Sequence, residues 1–192
     1  MNRHWTFAQY RRADLLTWAG IGALCEYVMT LAARRWFPAQ LYTVSVTAAV
    51  CAIVLMRWGG WAGLHAAVGG LVFALASGGS RGQMAVYALG NLGCLALLPL
   101  LPLLKKKQRI RSDKLFTALF ALGVTLSMQL GRGLVALALG AEFSACLGFF
   151  TTDTLTDLFT MVVVSLSRNL DGIFEDQKSY LLRLAKQEKG GF

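Results

Sequence analysis

The sequence predicts an all-α integral membrane protein of six transmembrane helices with both termini in the cytoplasm. Three observations carry this expectation. Hydrophobic residues make up 56% of the 192 residues, above the roughly 45–50% of an ordinary soluble domain, and the mean hydropathy is +0.53. The apolar residues come in long runs that lack the period-two alternation of a membrane β-strand. The charges gather at the ends of those runs. The net charge of +9 is therefore a matter of membrane topology. It does not point to nucleic acid, and the Lys105-Lys106-Lys107 stretch is expected to be a cytoplasmic loop.

A bilayer-crossing helix needs about 20 apolar residues. Six segments meet this requirement: 15–33, 41–56, 61–77, 84–104, 115–139 and 145–166. The first follows the basic stretch MNRHWTFAQYRRAD, and its length and Glu26 mark it as a retained span and not a signal peptide. The second and third are short and are separated only by MRWGGW. The third contains GLHAAVGG, whose glycines suit close helix contact, and His65 near its start is expected to be a hydrogen-bonded structural residue. The fourth runs into the basic loop, the fifth is long and uninterrupted, and the sixth contains FFTTDTLTDLFT. Residues 1–168 thus form a six-helix membrane domain, and 169–192 a cytoplasmic tail. In the tail, Leu170, Ile173, Phe174, Leu181 and Leu184 fall near one helical face. This predicts an amphipathic helix that lies on the inner membrane surface or docks a cytoplasmic partner. With the N-terminus inside, Arg34, Arg35, Arg81 and Arg132 are the only exceptions among the 19 Lys and Arg residues to an inner placement. That bias sets the orientation. Cys25, Cys51, Cys94 and Cys146 all lie in apolar runs with no CxxC. They are expected to be small packing residues, with no metal or disulfide role.

Ionisable groups inside a membrane helix cost a few kcal/mol and usually face a cavity or a partner. Glu26 lies twelve positions before the first outer turn at Pro38, while Arg132 and Asp153 lie ten before and eleven after Glu142 in the last one. At about 1.5 Å per residue, these groups reach one level in the outer half or near the midplane, together with Tyr87 and Asn91 of the fourth segment. Gln129 shares a face with Arg132, and Asp157 shares one with Asp153. An Arg132–Asp153 pair could simply pin the last two helices. That pair would leave Glu26 and Asp157 without a cation, which a polar ligand or water would answer. Three carboxylates against one arginine favour a ligand with cationic or donor groups. Tyr27, Trp36, Phe37, Tyr42, Phe149 and Phe150 could wall it, and Thr151, Thr152, Thr154 and Thr156 would add hydrogen-bonding groups toward a wet cavity. Glu26, Tyr87, Asn91, Gln129, Arg132, Asp153 and Asp157 are therefore the candidate substrate-binding residues, with no catalytic residue, metal or cofactor expected.

Enzymatic readings fail on spacing. The aspartates follow Gly148 as G-x4-D-x3-D, one residue too many for the G-x3-D-x3-D of membrane alcohol phosphotransferases, and the upstream D-G-x2-A-R half is missing. No Walker A or H-E-x-x-H motif occurs.

Six spans in 192 residues, a basic fourth-to-fifth loop and AGIGA in the first span resemble the S components, the substrate-binding subunits, of energy-coupling factor (ECF) transporters. The R-N-L-D-G-I-F-E-D-Q-K-S-Y-L-L-R-L ending is similar to that of uncharacterised proteins grouped with them. The resemblance implies a multi-pass protein of a prokaryotic plasma membrane that captures a vitamin-like micronutrient in an outer-half pocket. It implies docking through Ala19 and Ala23 onto the membrane T component, with two cytosolic ATPases hydrolysing ATP. The alternative is a scaffold similar to the cell-shape protein MreD, in which the intramembrane ion pair is structural.

Overall fold

The computed structural model describes residues 6–39, 42, 44–103 and 107–190. Arg3, Lys105 and Lys106, counted above among the inner cations, lie outside these residues, as do positions 41 and 104 at the ends of two expected segments. Helix accounts for 83% of the described residues and no strand occurs among them, as the apolar runs predict.

Helix α1, Phe7–Trp36, begins with a capping box. The Gln9 N–H donates to Thr6 Oγ1 (3.3 Å), and the Thr6 N–H donates to Gln9 Oε1 (2.9 Å). These bonds satisfy two of the backbone donors that a helix start leaves over. At 30 residues it is about 45 Å long, well beyond the expected 15–33.

Helices α2, Thr47–Trp58, and α3, Ala62–Ala76, are joined by a 3-10 turn at Gly59–Trp61. Gly59 takes φ +61°, a conformation glycine adopts without steric cost, and the chain reverses there. Thr47 consequently packs against Gly69, and the Cys51 thiol points at the Ala62 carbonyl (3.8 Å). Residues 47–57 of α2 are all buried. This accounts for an apolar run with no polar face: the helix is the centre of the fold.

Helix α4, Arg81–Gly90, continues as a 3-10 stretch, Asn91–Leu97, then α5, Leu100–Leu103, and α6, Lys107–Ser112. Helix α7, Lys114–Ala138, is capped by Asp113, whose Oδ1 accepts from the Leu115 N–H (2.8 Å). It crosses the α4 segment at Gly90, Gly93 and Gly131, where an added Cβ would strike the facing backbone. This is small-residue packing of the kind that membrane helices use to approach closely.

The expected sixth segment is broken. Helices α8, Phe143–Thr152, and α9, Thr154–Ser167, meet at Asp153 with a bend of 42°. By length and composition, Phe7–Trp36, Thr47–Ala76 and Lys114–Ala138 are long and apolar enough to cross a membrane, and a fourth stretch qualifies if the bent pair is one span. The stretch Thr47–Ala76 meets the criterion while folded in two at Gly59.

The tail differs from the expectation. Only Gln177–Gly190 is helical (α10). The preceding turns enter the core, with Phe174 fully buried against Phe120, ring centroids 6.1 Å apart. Arg57, one of the cations expected on the inner side, is 4% exposed. It pairs with Asp14 (2.5 Å) and donates to the Gly172 and Ile173 carbonyls. Lys107 binds Asp176 (2.8 Å) and the Met56 carbonyl (3.0 Å), while Tyr10 donates to buried Gln177 (2.9 Å). Residues 172–177 therefore fasten α1, α2 and α6 at one end of the bundle. Leu170, Ile173 and Phe174 do not share a helical face with Leu181 and Leu184.

Candidate functional site

Glu26 projects from α1 to the start of α2, and it is fully buried. Val46, the residue before α2, provides no capping side chain, so the helix begins inside the protein with donors to satisfy. Glu26 Oε2 accepts from the N–H groups of Val46 (2.7 Å) and Thr47 (2.8 Å), and from the hydroxyls of Ser45 (2.9 Å) and Thr47 (2.8 Å). The carboxylate thus caps a helix N-terminus, where negative charge is also favoured by the backbone dipoles. This explains one of the carboxylates that the sequence left without a cation.

Asp157 is accounted for as well. Its Oδ1 accepts from Gln129 Nε2 (2.9 Å). Asp153, at the junction of α8 and α9, lies one turn before it and accepts the Asp157 N–H at its carbonyl (3.0 Å), so the two aspartates both reach α7, Asp157 at Gln129 and Asp153 at Arg132.

Asp153 and Arg132 form an ion pair of 2.6 Å, with side chains 3% and 8% exposed. The Arg132 guanidinium lies 5.3 Å from the Tyr87 ring centroid and 5.6 Å from that of Phe149. Its Nε donates to the Met128 carbonyl (3.4 Å). Asn91 faces the same space from the junction of α4 with its 3-10 continuation and donates Nδ2 to the Ala66 carbonyl (3.4 Å). Phe73 stacks on Tyr87 at 4.6 Å.

Ser45, Tyr87, Asn91, Arg132, Asp153 and Thr156 enclose a cavity of ≈ 10 Å³, about the minimum that holds one water. Small-molecule sites are about 300–1,000 Å³, so the chamber as it stands is closed. Ser45 connects it to the α2 cap, donating its N–H to Thr156 Oγ1 (3.1 Å) and its hydroxyl to Glu26.

Four of the predicted site residues, Tyr87, Asn91, Arg132 and Asp153, therefore meet at one cavity. Gln129 and Asp157 form a pair of their own, and Glu26 serves the α2 terminus. Among the threonines only Thr156 lines the chamber. Thr151 and Thr152 donate to the Gly148 carbonyl and Thr154 to the Thr151 carbonyl, the backbone bonds that threonine makes inside a helix. Ser45 and Phe73 were missed. A serine in the polar-apolar alternation TVSVT was the available signal for the first, and Phe73 carries none.

Two acceptors near the pair have no donor among the described residues: Asn91 Oδ1 and Gln129 Oε1. Their amide orientations follow from the bonds that Nδ2 and Nε2 make to a carbonyl and a carboxylate. Two helix discontinuities, at Asn91 and at Asp153, fall on chamber residues. His65 is hydrogen-bonded as expected, with Nδ1 3.1 Å from the Trp61 carbonyl and Nε2 3.0 Å from that of Leu15. Ala19 and Ala23, with Gly22, Thr47, Val50 and His65, border a crevice of ≈ 10 Å³ inside the fold. Gly20 beside them has nothing within 4 Å of a built Cβ.

Comparison with protein-family models, with curated proteins and with solved structures finds no match for this chain.

Proposed function

We propose that this chain is the substrate-binding S component of an ECF-type importer in a prokaryotic plasma membrane, taking a small polar micronutrient into the Arg132–Asp153 chamber. Its six crossings would be α1, α2, α3, α4 with its 3-10 continuation, α7, and the bent α8–α9 pair. A membrane T component and two ATPases would supply the energy, and the chain itself would perform no chemistry.

The observation that carries the reading is the coincidence of the polar chamber with two helix breaks. Irregular backbone at membrane depth is tolerated only where it is buried in protein or lines a cavity, and the breaks here fall on Asn91 and Asp153. They offer hinges by which a one-water cavity can open to ligand size. The two unpartnered amide oxygens favour a ligand that brings N–H or cationic donors, as the carboxylate excess did. Glu26 no longer contributes to that excess.

One observation favours the alternative of a MreD-like scaffold. The Arg132–Asp153 contact is direct, at 2.6 Å, and such a pair can hold two helices with no ligand. The two readings separate on purified protein in a thermal-shift screen of B vitamins, nucleobases and polyamines. A ligand that binds only the folded state raises Tm by mass action. The importer reading expects a hit whose shift is lost in Arg132→Gln and in Asp153→Asn. No hit, with both variants merely less stable, favours the scaffold.

A further inference from the structure

A second cavity lies at the Trp36 end of α1, with a volume of ≈ 390 Å³, within the range of small-molecule sites. Two helices wall it with pairs of residues four apart, Thr30 and Arg34 from α1 and Phe73 and Ser77 from α3, while Phe37 and Tyr42 of the α1–α2 link add aromatic surface. Phe73 also lines the closed chamber, so one ring separates the two spaces.

The polar groups here are uncommitted in a specific way. No ion pair among the described residues includes Arg34. Its guanidinium donates Nη1 to the Ala76 carbonyl at the end of α3 (2.6 Å). An arginine carries five donors, so one bond leaves most of the fork available to an anion. One helical turn deeper, Thr30 is 4% exposed and its hydroxyl has no hydrogen-bond partner, which is uncommon for a buried polar atom. Among the described residues no carboxylate lines the cavity.

We infer that this cavity is a binding site, separate from the Arg132–Asp153 chamber, for a small organic carboxylate with a flat apolar body. The carboxylate sits on Arg34 at the rim, and the body lies over Phe73 with a polar substituent toward the Thr30 hydroxyl. The pairing follows from the chemistry of the two ends: a cation without a counter-charge at the mouth, and aromatic faces with one buried hydroxyl below. The inference stands whether or not the chamber binds anything.

The test uses the full chain in nanodiscs of neutral lipid, with ¹⁹F line broadening of 4-fluorobenzoate and 4-fluorobenzylamine measured against empty discs. The benzoate is expected to broaden and the benzylamine is not. Arg34→Gln should weaken benzoate by about tenfold, the loss of a charge-assisted hydrogen bond, and Arg34→Lys should retain most of the binding. Thr30→Val, of the same shape, should weaken it about threefold, and Arg132→Gln should leave it unchanged. Equal broadening of the two probes overturns the inference. So does benzoate binding that Arg34→Gln leaves intact, or that Arg132→Gln removes. If Arg34→Gln fails to fold, the contrast of the two probes on wild type and the Thr30→Val result decide in the same sense.

Discussion

Replacing Glu26 separates its role as a helix cap from any role toward a ligand. In Glu26→Ala the Val46 N–H loses its acceptor inside the fold, where water cannot replace it, while the Thr47 N–H keeps a longer bond to Ser45 Oγ (3.2 Å). A buried donor left unsatisfied costs about 1–3 kcal/mol and the lost charge at the α2 start about 1 kcal/mol, so the variant costs about 2–4 kcal/mol. The Ser45 and Thr47 hydroxyls can rotate to other acceptors and add little. Glu26→Gln is milder. Its one amide oxygen can take the place of Oε2, and its NH₂ falls where Oε1 accepts from no donor. What is lost is the charge at the α2 start, about 1 kcal/mol. For a chain of this size each kcal/mol moves Tm by about 2–4 °C. Thermal unfolding in nanodiscs should therefore show a loss on the order of 4–16 °C for Glu26→Ala and of a few degrees for Glu26→Gln. Hydrogen exchange should speed up at residues 46–48 before it does elsewhere. Equal losses for the two variants, or an Ala variant within about 1 °C of wild type, would refute the capping account.

Phe174→Ala should cost about 3–5 kcal/mol, because its ring is fully buried against Phe120; deleting 170–192 should cost at least as much, and an unchanged Tm after deletion would place the tail outside the core. Gly20→Trp should abolish co-purification with a T component while leaving Tm unchanged, since nothing lies near that position; Ala19→Trp is a poorer probe, because Ala19 borders an internal crevice. Normal assembly of Gly20→Trp would rule out this face. The Asp176 carboxyl lies below its ordinary pKa: burial pushes it up, but the hydrogen bonds from Lys107 and Ser179 and the Lys107 charge together outweigh burial. A depressed acid stabilises the fold above its unfolded pKa, and that contribution is lost as pH falls through the folded value. Asp176→Asn should therefore be less stable than wild type at pH 7, and the gap should close below about pH 4; a gap that persists unchanged in acid contradicts the assignment.

The apolar runs and their limits carried the helices, since side-chain hydrophobicity is a local property. Counting residues from the turns also placed Arg132 level with Asp153, and the two do meet. The purpose of Glu26 could not be counted in the same way. It depends on α2 starting only at Thr47 with no cap of its own, and the apolar residues before that point look like more helix. The break at Asp153 was hidden for a related reason. Thr152 to Thr154 carry no Gly or Pro to announce the 42° bend, and the hydroxyls that Thr152 and Thr154 return to helix carbonyls, bonds of a kind that bends helices, are not evident from residue type alone. In the tail, Phe174 reads equally well as one residue of an amphipathic stripe or as a buried plug. Arg57 decides between them by reaching the carbonyls of Gly172 and Ile173, a contact across more than a hundred residues.

The distance between Arg132 and Asp153 in a ligand-bound structure tests the central claim most directly. At ≈ 10 Å³ the chamber cannot admit a micronutrient while the pair stays at 2.6 Å. With a hit from the thermal-shift screen bound, the importer account predicts the guanidinium and carboxylate parted beyond about 4 Å, the limit of an ion pair, with polar atoms of the ligand between them and a donor on Asn91 Oδ1. An intact pair with the ligand bound elsewhere would contradict it.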